Sequence, residues 1–192
     1  MAITSTLEQA GRTADDEPAA HVVRLRDGRP VALRVAGAED AAAVQRFVRG
    51  LSEQSRRYRF FSPVRELSPD QLERLTRSHP PDELALVGEI TAETGESRIV
   101  ALAQYVVCEP LDAEFAVVVD DAWQRQGLGM QLVGALAEQA ARAGVTVLSG
   151  FVLPDNWPML SFLARLDCEL DADSDPNLIR AVKRLEAHEA VV

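Results

Sequence analysis

At 192 residues, 47% of them apolar, the chain is sized for one domain with a sizeable core. Its formal net charge of -10 argues against a nucleic-acid partner, whose binding rests on neutralising phosphates. No run approaches the ~20 apolar residues of a membrane span, and two cysteines, Cys108 and Cys168, do not make a disulfide framework. Reduced thiols and a cytoplasmic location are the expectation. The acidity suits a cationic substrate, and it suits plain solubility equally well.

Residues 1–20 have neither a basic start nor an apolar stretch and read as a flexible leader, not a signal peptide. Asp27-Gly28 between two apolar runs, Val22 to Leu25 and Val31 to Val35, suggests a hairpin. Val44, Phe47, Val48 and Leu51 mark one helix face, with Glu39 and Asp40 expected in its first turn. Residues 52–61, SEQSRRYRFF, read as a short helix in which Arg56, Arg57 and Arg59 interleave with Tyr58, Phe60 and Phe61. Ser68-Pro69-Asp70-Gln71 is a capping box opening a third helix. Strands are expected at 84–90, 98–107 and 114–119, then a helix with Leu128, Leu132, Leu136 and Ala140 on one stripe. On its other side Glu138 and Arg142 are spaced to pair, and Gly144 ends it. A strand at 146–152, a helix capped by Asn156 and a last strand at 178–182 follow, with 186–192 as a tail.

The centre of the pattern is EFAVVVDDAWQRQGLGMQL, residues 114–132. A strand stops at Asp120 and Asp121, and a glycine-bearing turn leads straight into a helix. The first amides of such a helix lack internal partners and lie at the positive end of its dipole, which suits a phosphate or pyrophosphate. A Walker loop needs a Lys and a hydroxyl residue where Met130 and Gln131 stand, and a dinucleotide fingerprint needs a third glycine. What remains is Gln-x-x-Gly-x-Gly on Gln124, Gly127 and Gly129.

That motif, in this context, resembles the pyrophosphate loop of the GCN5-related N-acetyltransferases (GNAT). The resemblance covers residues 30 to about 185, within a domain drawn at 21–185. It implies an α/β fold with a mixed, mostly antiparallel central sheet of six to seven strands, flanking helices, and a splayed strand pair holding acetyl-CoA. The cofactor's pantetheine arm would then lie along the backbone of Val117, Val118 and Val119. Its pyrophosphate would meet residues Gln124, Arg125, Gln126, Gly127, Leu128, Gly129 and Met130. Three segments, residues 52–63, 113–119 and 153–160, look like Pat-type protein lysine acetyltransferases. Many of those carry an added nucleotide-binding or acyl-CoA synthetase-like domain; the flanks here are too short to expect one.

The chemistry asks for a base more than an acid. A free lysine of pKa ~10.4 is neutral in about one molecule in 2,500 at pH 7, a penalty of roughly 4.6 kcal/mol, whereas a thiol of pKa ~8.5 costs only about 2 kcal/mol to release as thiolate. Glu114 matches the general base of the Pat-type segment, and an apolar setting would raise its pKa. The competing reading is a glutamate at a strand start pointing to water. Asp112, Asp120 and Asp121 lie in turn contexts. The tyrosine acid of many family members falls, seven residues after Asn156, on Leu163, and the family's Gly-Phe is Asp167-Cys168. That departure fits the Pat-type subgroup, with the thiolate leaving unaided or through water; a degenerate enzyme is the alternative. Asn156 is a candidate contact for the pantetheine arm, although helix capping alone accounts for it. Trp123 and Trp157 are expected to pack beside the cofactor strands. His21, His79 and His188 have no metal spacing, and no metal is expected. The expectation is an acetyl-CoA-dependent N-acetyltransferase with a protein lysine ε-amine as favoured acceptor. A small-molecule amine and a non-catalytic acyl-CoA-binding module are the alternatives.

Overall fold

A computed structural model describes residues 21–173 and 175–186; the leader call on 1–20 and most of the tail call fall outside them. The chain runs β1 (His21–Arg24), β2 (Pro30–Val35), α1 (Ala41–Gly50), α2 (Glu53–Phe60), α3 (Pro69–Thr76), β3 (Glu83–Thr91), β4 (Ser97–Glu109) and β5 (Asp112–Val119). It continues with α4 (Leu128–Arg142), β6 (Val147–Val152), α5 (Trp157–Arg165), β7 (Glu169–Ala172) and β8 (Ile179–Arg184). Short 3-10 turns precede α1 and α4, at Ala38–Asp40 and Asp121–Trp123.

The strands form one eight-stranded sheet in the order β1-β2-β3-β4-β5-β6-β8-β7. Every neighbouring pair is antiparallel except β5 with β6. The expected six to seven strands are thus eight. The one not anticipated is β7, whose residues ELDA are all exposed at the sheet edge. Its four residues include none of the β-branched or aromatic types that mark a strand in sequence. Glu39 and Asp40 also shift, from the first turn of α1 to the 3-10 turn before it.

Strand alternation divides the core between the two faces. Tyr105, Phe115 and Val117 pack with Leu128, Leu132, Leu136 and Ala140 of α4, the predicted stripe, all buried. Leu102 and Val118 pack on the opposite face with Val44, Phe47 and Val48 of α1 and Leu75 of α3. Glu138 and Arg142 pair at 2.5 Å on the exposed side of α4. The Ser68–Gln71 capping box forms as read.

The parallel junction is short. β5 and β6 are in register only at Asp112 with Val147, Ala113 with Leu148 and Glu114 with Ser149. Beyond that point β5 remains paired with β4 as far as Val119, and β6 with β8 as far as Val152. The sheet is therefore split between β5 and β6 past Glu114. The backbone edges of β5 and β6 that face each other there have no strand partner.

Candidate active site

Three things meet at this split. The first is the backbone edge of β5 after Glu114. The side chains of Val117 and Val118 are buried, so their contribution to the gap is main chain. Core packing and an exposed backbone edge coexist in the same residues, as alternation allows.

The second is the turn from β5 into α4. Asp120 caps the short 3-10 turn by accepting from the Ala122 amide at 2.9 Å. Arg125 and Gly127 then take left-handed backbone angles, φ 61° and 92°. Glycine adopts that region without strain, which explains Gly127 at the N-cap of α4. Because Gly127 has no side chain, nothing caps the helix from that position. The first turn of α4 closes with the Gln131 amide donating to the Gly127 carbonyl at 3.2 Å, so the amides of Leu128, Gly129 and Met130 have no partner inside the helix. Gly129 answers a different need. A β-carbon there would stand 3.3 Å from a ring carbon of Phe162 on α5, so the glycine lets α4 and α5 approach closely. The side chain of Gln124 is committed to the loop itself, donating to the Val119 carbonyl at 3.0 Å.

The third is Glu114, the last residue of β5 still paired with β6. Its side chain is exposed while Ala113 and Phe115 are buried, so the expected apolar setting is not what the fold supplies. Alternation is the reason. Glu114 shares its sheet face with Val118, on the side of α1 and α3, and α2 covers that end of β5 only in part. From α2 comes Arg59, whose Nε and Nη2 are buried without a hydrogen-bond partner. Burial pushes its guanidinium down to about 10, and attraction from Glu114 works against that fall. The exposed carboxylate thus has a poorly solvated cation as its neighbour.

Helix α2 ties the two sides of the gap together, a role sequence reasoning missed. On the β5 side, Asp121 accepts from the Ser52 amide, Ser52 Oγ and Ser55 Oγ at 2.8–2.9 Å. Burial would raise the Asp121 carboxyl, but these hydrogen bonds outweigh it and hold the group below its ordinary range. On the β6 side, Arg57 pairs with Asp155 at 2.8 Å and the Tyr58 hydroxyl donates to the Asp155 carbonyl at 3.1 Å. The alternation of arginine and aromatic in SRRYRFF was the available signal, but which of its residues reach across depends on the sheet order.

The remaining candidates fall as follows. Asn156 is buried and its Oδ1 accepts from the Met159 amide, so capping α5 is its observed role. Asp112 is not in a turn: it opens β5, and its carboxylate accepts from Ser149 Oγ at 3.2 Å. Trp123 is buried under the Arg29 guanidinium, whereas Trp157 is 72% exposed and does not pack as expected. Cys108 is exposed at the end of β4, and Cys168 packs against the core, where burial pushes its thiol up. Among the described residues, no group of three or more His, Cys, Asp or Glu side chains is placed to hold a metal ion. Nor is any described helix long and apolar enough to cross a membrane.

Leu163, at the position of the family's tyrosine, is 3% exposed and belongs to the core under α4. Leu163→Ala should cost about 2–4 kcal/mol of stability by cavity formation. Turnover per folded molecule should change far less. Chemical denaturation alongside acetylation rates checks this, and a large rate loss at unchanged stability and CoA affinity would contradict a purely structural Leu163.

Comparison with known proteins agrees with this geometry. The profile of the "Acetyltransferase (GNAT) family" matches residues 48–167, which include β5, the turn, α4, β6 and α5. An acetyltransferase of Pseudomonas aeruginosa, PA5475, is 34% identical over 124 residues, 64% of this chain. The match spans 66% of that protein's own length. The GNAT domain of S. lividans PAT superposes with a TM-score of 0.81 at 26% identity, covering 88% of this chain and all of that one. A cAMP-binding acyltransferase from Mycobacterium smegmatis superposes with a TM-score of 0.59 at 25% identity. That likeness covers 87% of this chain but only 47% of the mycobacterial protein. Enzymes of the matched family use acetyl-CoA as co-substrate. The chain belongs to the GNAT acetyltransferase family.

Proposed function

We propose that this protein is an acetyl-CoA-dependent N-acetyltransferase acting on a primary amine by direct attack in a ternary complex, with a protein lysine ε-amine as the favoured acceptor. The observation that carries the reading is the split between β5 and β6. It begins at Glu114 and opens toward the uncapped amides of α4, so a base and an anion site lie at opposite ends of one open strand edge. Acetyl-CoA supplies the activated acetyl thioester. The backbone of Val117 to Val119 lines its pantetheine arm, and residues 124–130 receive its phosphates, with Asn156 shaping the far side through its cap of α5.

Glu114 takes the acceptor's proton, directly or through a water. Its exposure makes it reachable by an incoming amine. Helping to offset the roughly 4.6 kcal/mol deprotonation penalty of a lysine, by taking the proton as the amine attacks, is its contribution. No side-chain acid is assigned, since Leu163 has no proton to give. The lysine acceptor is supported by the likeness of residues 52–63 and 153–160 to Pat-type protein lysine acetyltransferases and by the superposition on the S. lividans PAT domain.

The test is an acceptor screen with acetyl-CoA, read by release of CoA thiol, followed by mass spectrometry of candidate protein substrates. Acetyl-lysine on a protein supports the reading in full. Thiol release only with small amines would move the acceptor to that class. CoA binding by calorimetry with no turnover on any amine would replace the enzyme with an acyl-CoA-binding module.

A further inference from the structure

The β1–β2 hairpin precedes the segment that the family profile matches, yet its tip lies against the turn before α4. The Arg26 amide donates to the Gln126 carbonyl at 3.1 Å. Arg29 stacks on Trp123 at 3.7 Å and pairs with Asp27 at 2.7 Å, which anchors the tip to the neighbouring 3-10 turn. A β-carbon on Gly127 would lie 3.9 Å from Arg26 Cγ and 4.0 Å from its Nε, so the Arg26 side chain runs beside the N-cap of α4.

This corner gathers positive charge beside the N-cap of α4. Arg29 is spent on Asp27. Arg26 and Arg125 make no ion pair among the described residues, in a chain whose net charge is -10. A lone exposed arginine needs no explanation. Here the guanidinium is brought by a tethered hairpin to the positive end of a 15-residue helix whose first amides are uncapped. Two positive features that repel one another are held together, and an anion between them relieves the repulsion.

We propose that Arg26 is a further cofactor-binding residue that holds a phosphate of CoA, making the hairpin a second wall of the phosphate site. The proposal rests on the reading of residues 124–130 as the CoA phosphate loop. The helix amides supply neutral donors, and Arg26 adds the full positive charge that they lack.

The test compares the parent protein with Arg26→Ala in calorimetric titrations with CoA and 3′-dephospho-CoA. It adds acetyl-transfer rates with S-acetylpantetheine, a donor without phosphates. Arg26 is exposed, so the variant is expected to fold, which a thermal midpoint verifies. The variant should bind CoA roughly tenfold more weakly, as for one lost charge-assisted hydrogen bond. Its kcat/KM with S-acetylpantetheine should match the parent. If the tenfold difference disappears with 3′-dephospho-CoA, Arg26 holds the 3′-phosphate; if it persists, Arg26 holds the pyrophosphate. Equal CoA affinity in the two proteins overturns the proposal, as does an equal loss with the phosphate-free donor. A parent protein that binds no CoA at all would instead remove the phosphate-loop reading, and this proposal with it.

Discussion

Replacing Glu114 with Gln is expected to lower turnover by about 10²–10⁴ at neutral pH, the usual worth of a positioned base. The substitution nearly preserves shape and removes only the ability to take a proton. Affinity for acetyl-CoA should hardly change, because the cofactor is assigned to main-chain groups further along β5 and to the turn before α4. The loss should shrink as pH rises, since a growing fraction of the acceptor amine is then neutral without help. Glu114 is exposed, so little packing is lost, but its charge offsets the poorly solvated Arg59 guanidinium, so some stability should be lost with it and a thermal midpoint is read beside the rate. The deciding measurement is turnover against pH at saturating acetyl-CoA, with chemistry shown to limit the rate. A near-parental rate at pH 7 would take Glu114 out of the mechanism. Arg59, the buried cation beside it on α2, and Asp112 at the start of β5 would then be the next groups to vary.

Gly129→Glu is expected to weaken CoA binding by about 10²-fold, since a unit charge pair at ~4 Å repels by about 1 kcal/mol in water and about 4 near a protein surface. The charge would sit in the first turn of α4, where the pyrophosphate is assigned. The structure adds a steric part. Any side chain at 129 meets Phe162 ring carbons at 3.3 and 3.5 Å and Val119 Cγ2 at 3.9 Å, so Phe162 must give by a few tenths of an ångström. Gly129→Ala carries that steric part without the charge and separates the two. The alanine variant should lose only a few-fold in affinity, the glutamate variant far more. Calorimetry with CoA, together with thermal midpoints, reads both. A folded Gly129→Glu protein that bound CoA like the parent would show that the phosphates do not lie at this helix end.

What the sequence determined on its own is local and periodic. The 3.6-residue stripe of α4 places Leu128, Leu132, Leu136 and Ala140 in one core, because the pattern repeats within its own element, whereas the unbroken apolar run of β5 marks a strand without saying that Val117 and Val118 face opposite cores. Caps are equally local: Asn156 and the Ser68–Gln71 box lie within three residues of the amides they satisfy. Gln124, Gly127 and Gly129 announced the turn for the same reason, since a left-handed N-cap and a close helix approach both select glycine.

Tertiary structure alone decided how distant segments meet. Whether Glu114 faces apolar core or solvent depends on what lies over its face of the sheet, and α2, some 55–60 residues earlier, covers it only in part. Asp121 and Asp155 look like ordinary loop acids until α2 brings Ser52, Ser55, Arg57 and Tyr58 to them across 66 to 98 positions. Arg26 sits beside Gly127 only because three antiparallel pairings lead from β2 across β3 and β4 to β5, which sets the start of β2 at the same end of the sheet as the finish of β5. Such neighbours leave no periodic trace, since strand order and register, not spacing along the chain, bring them within reach.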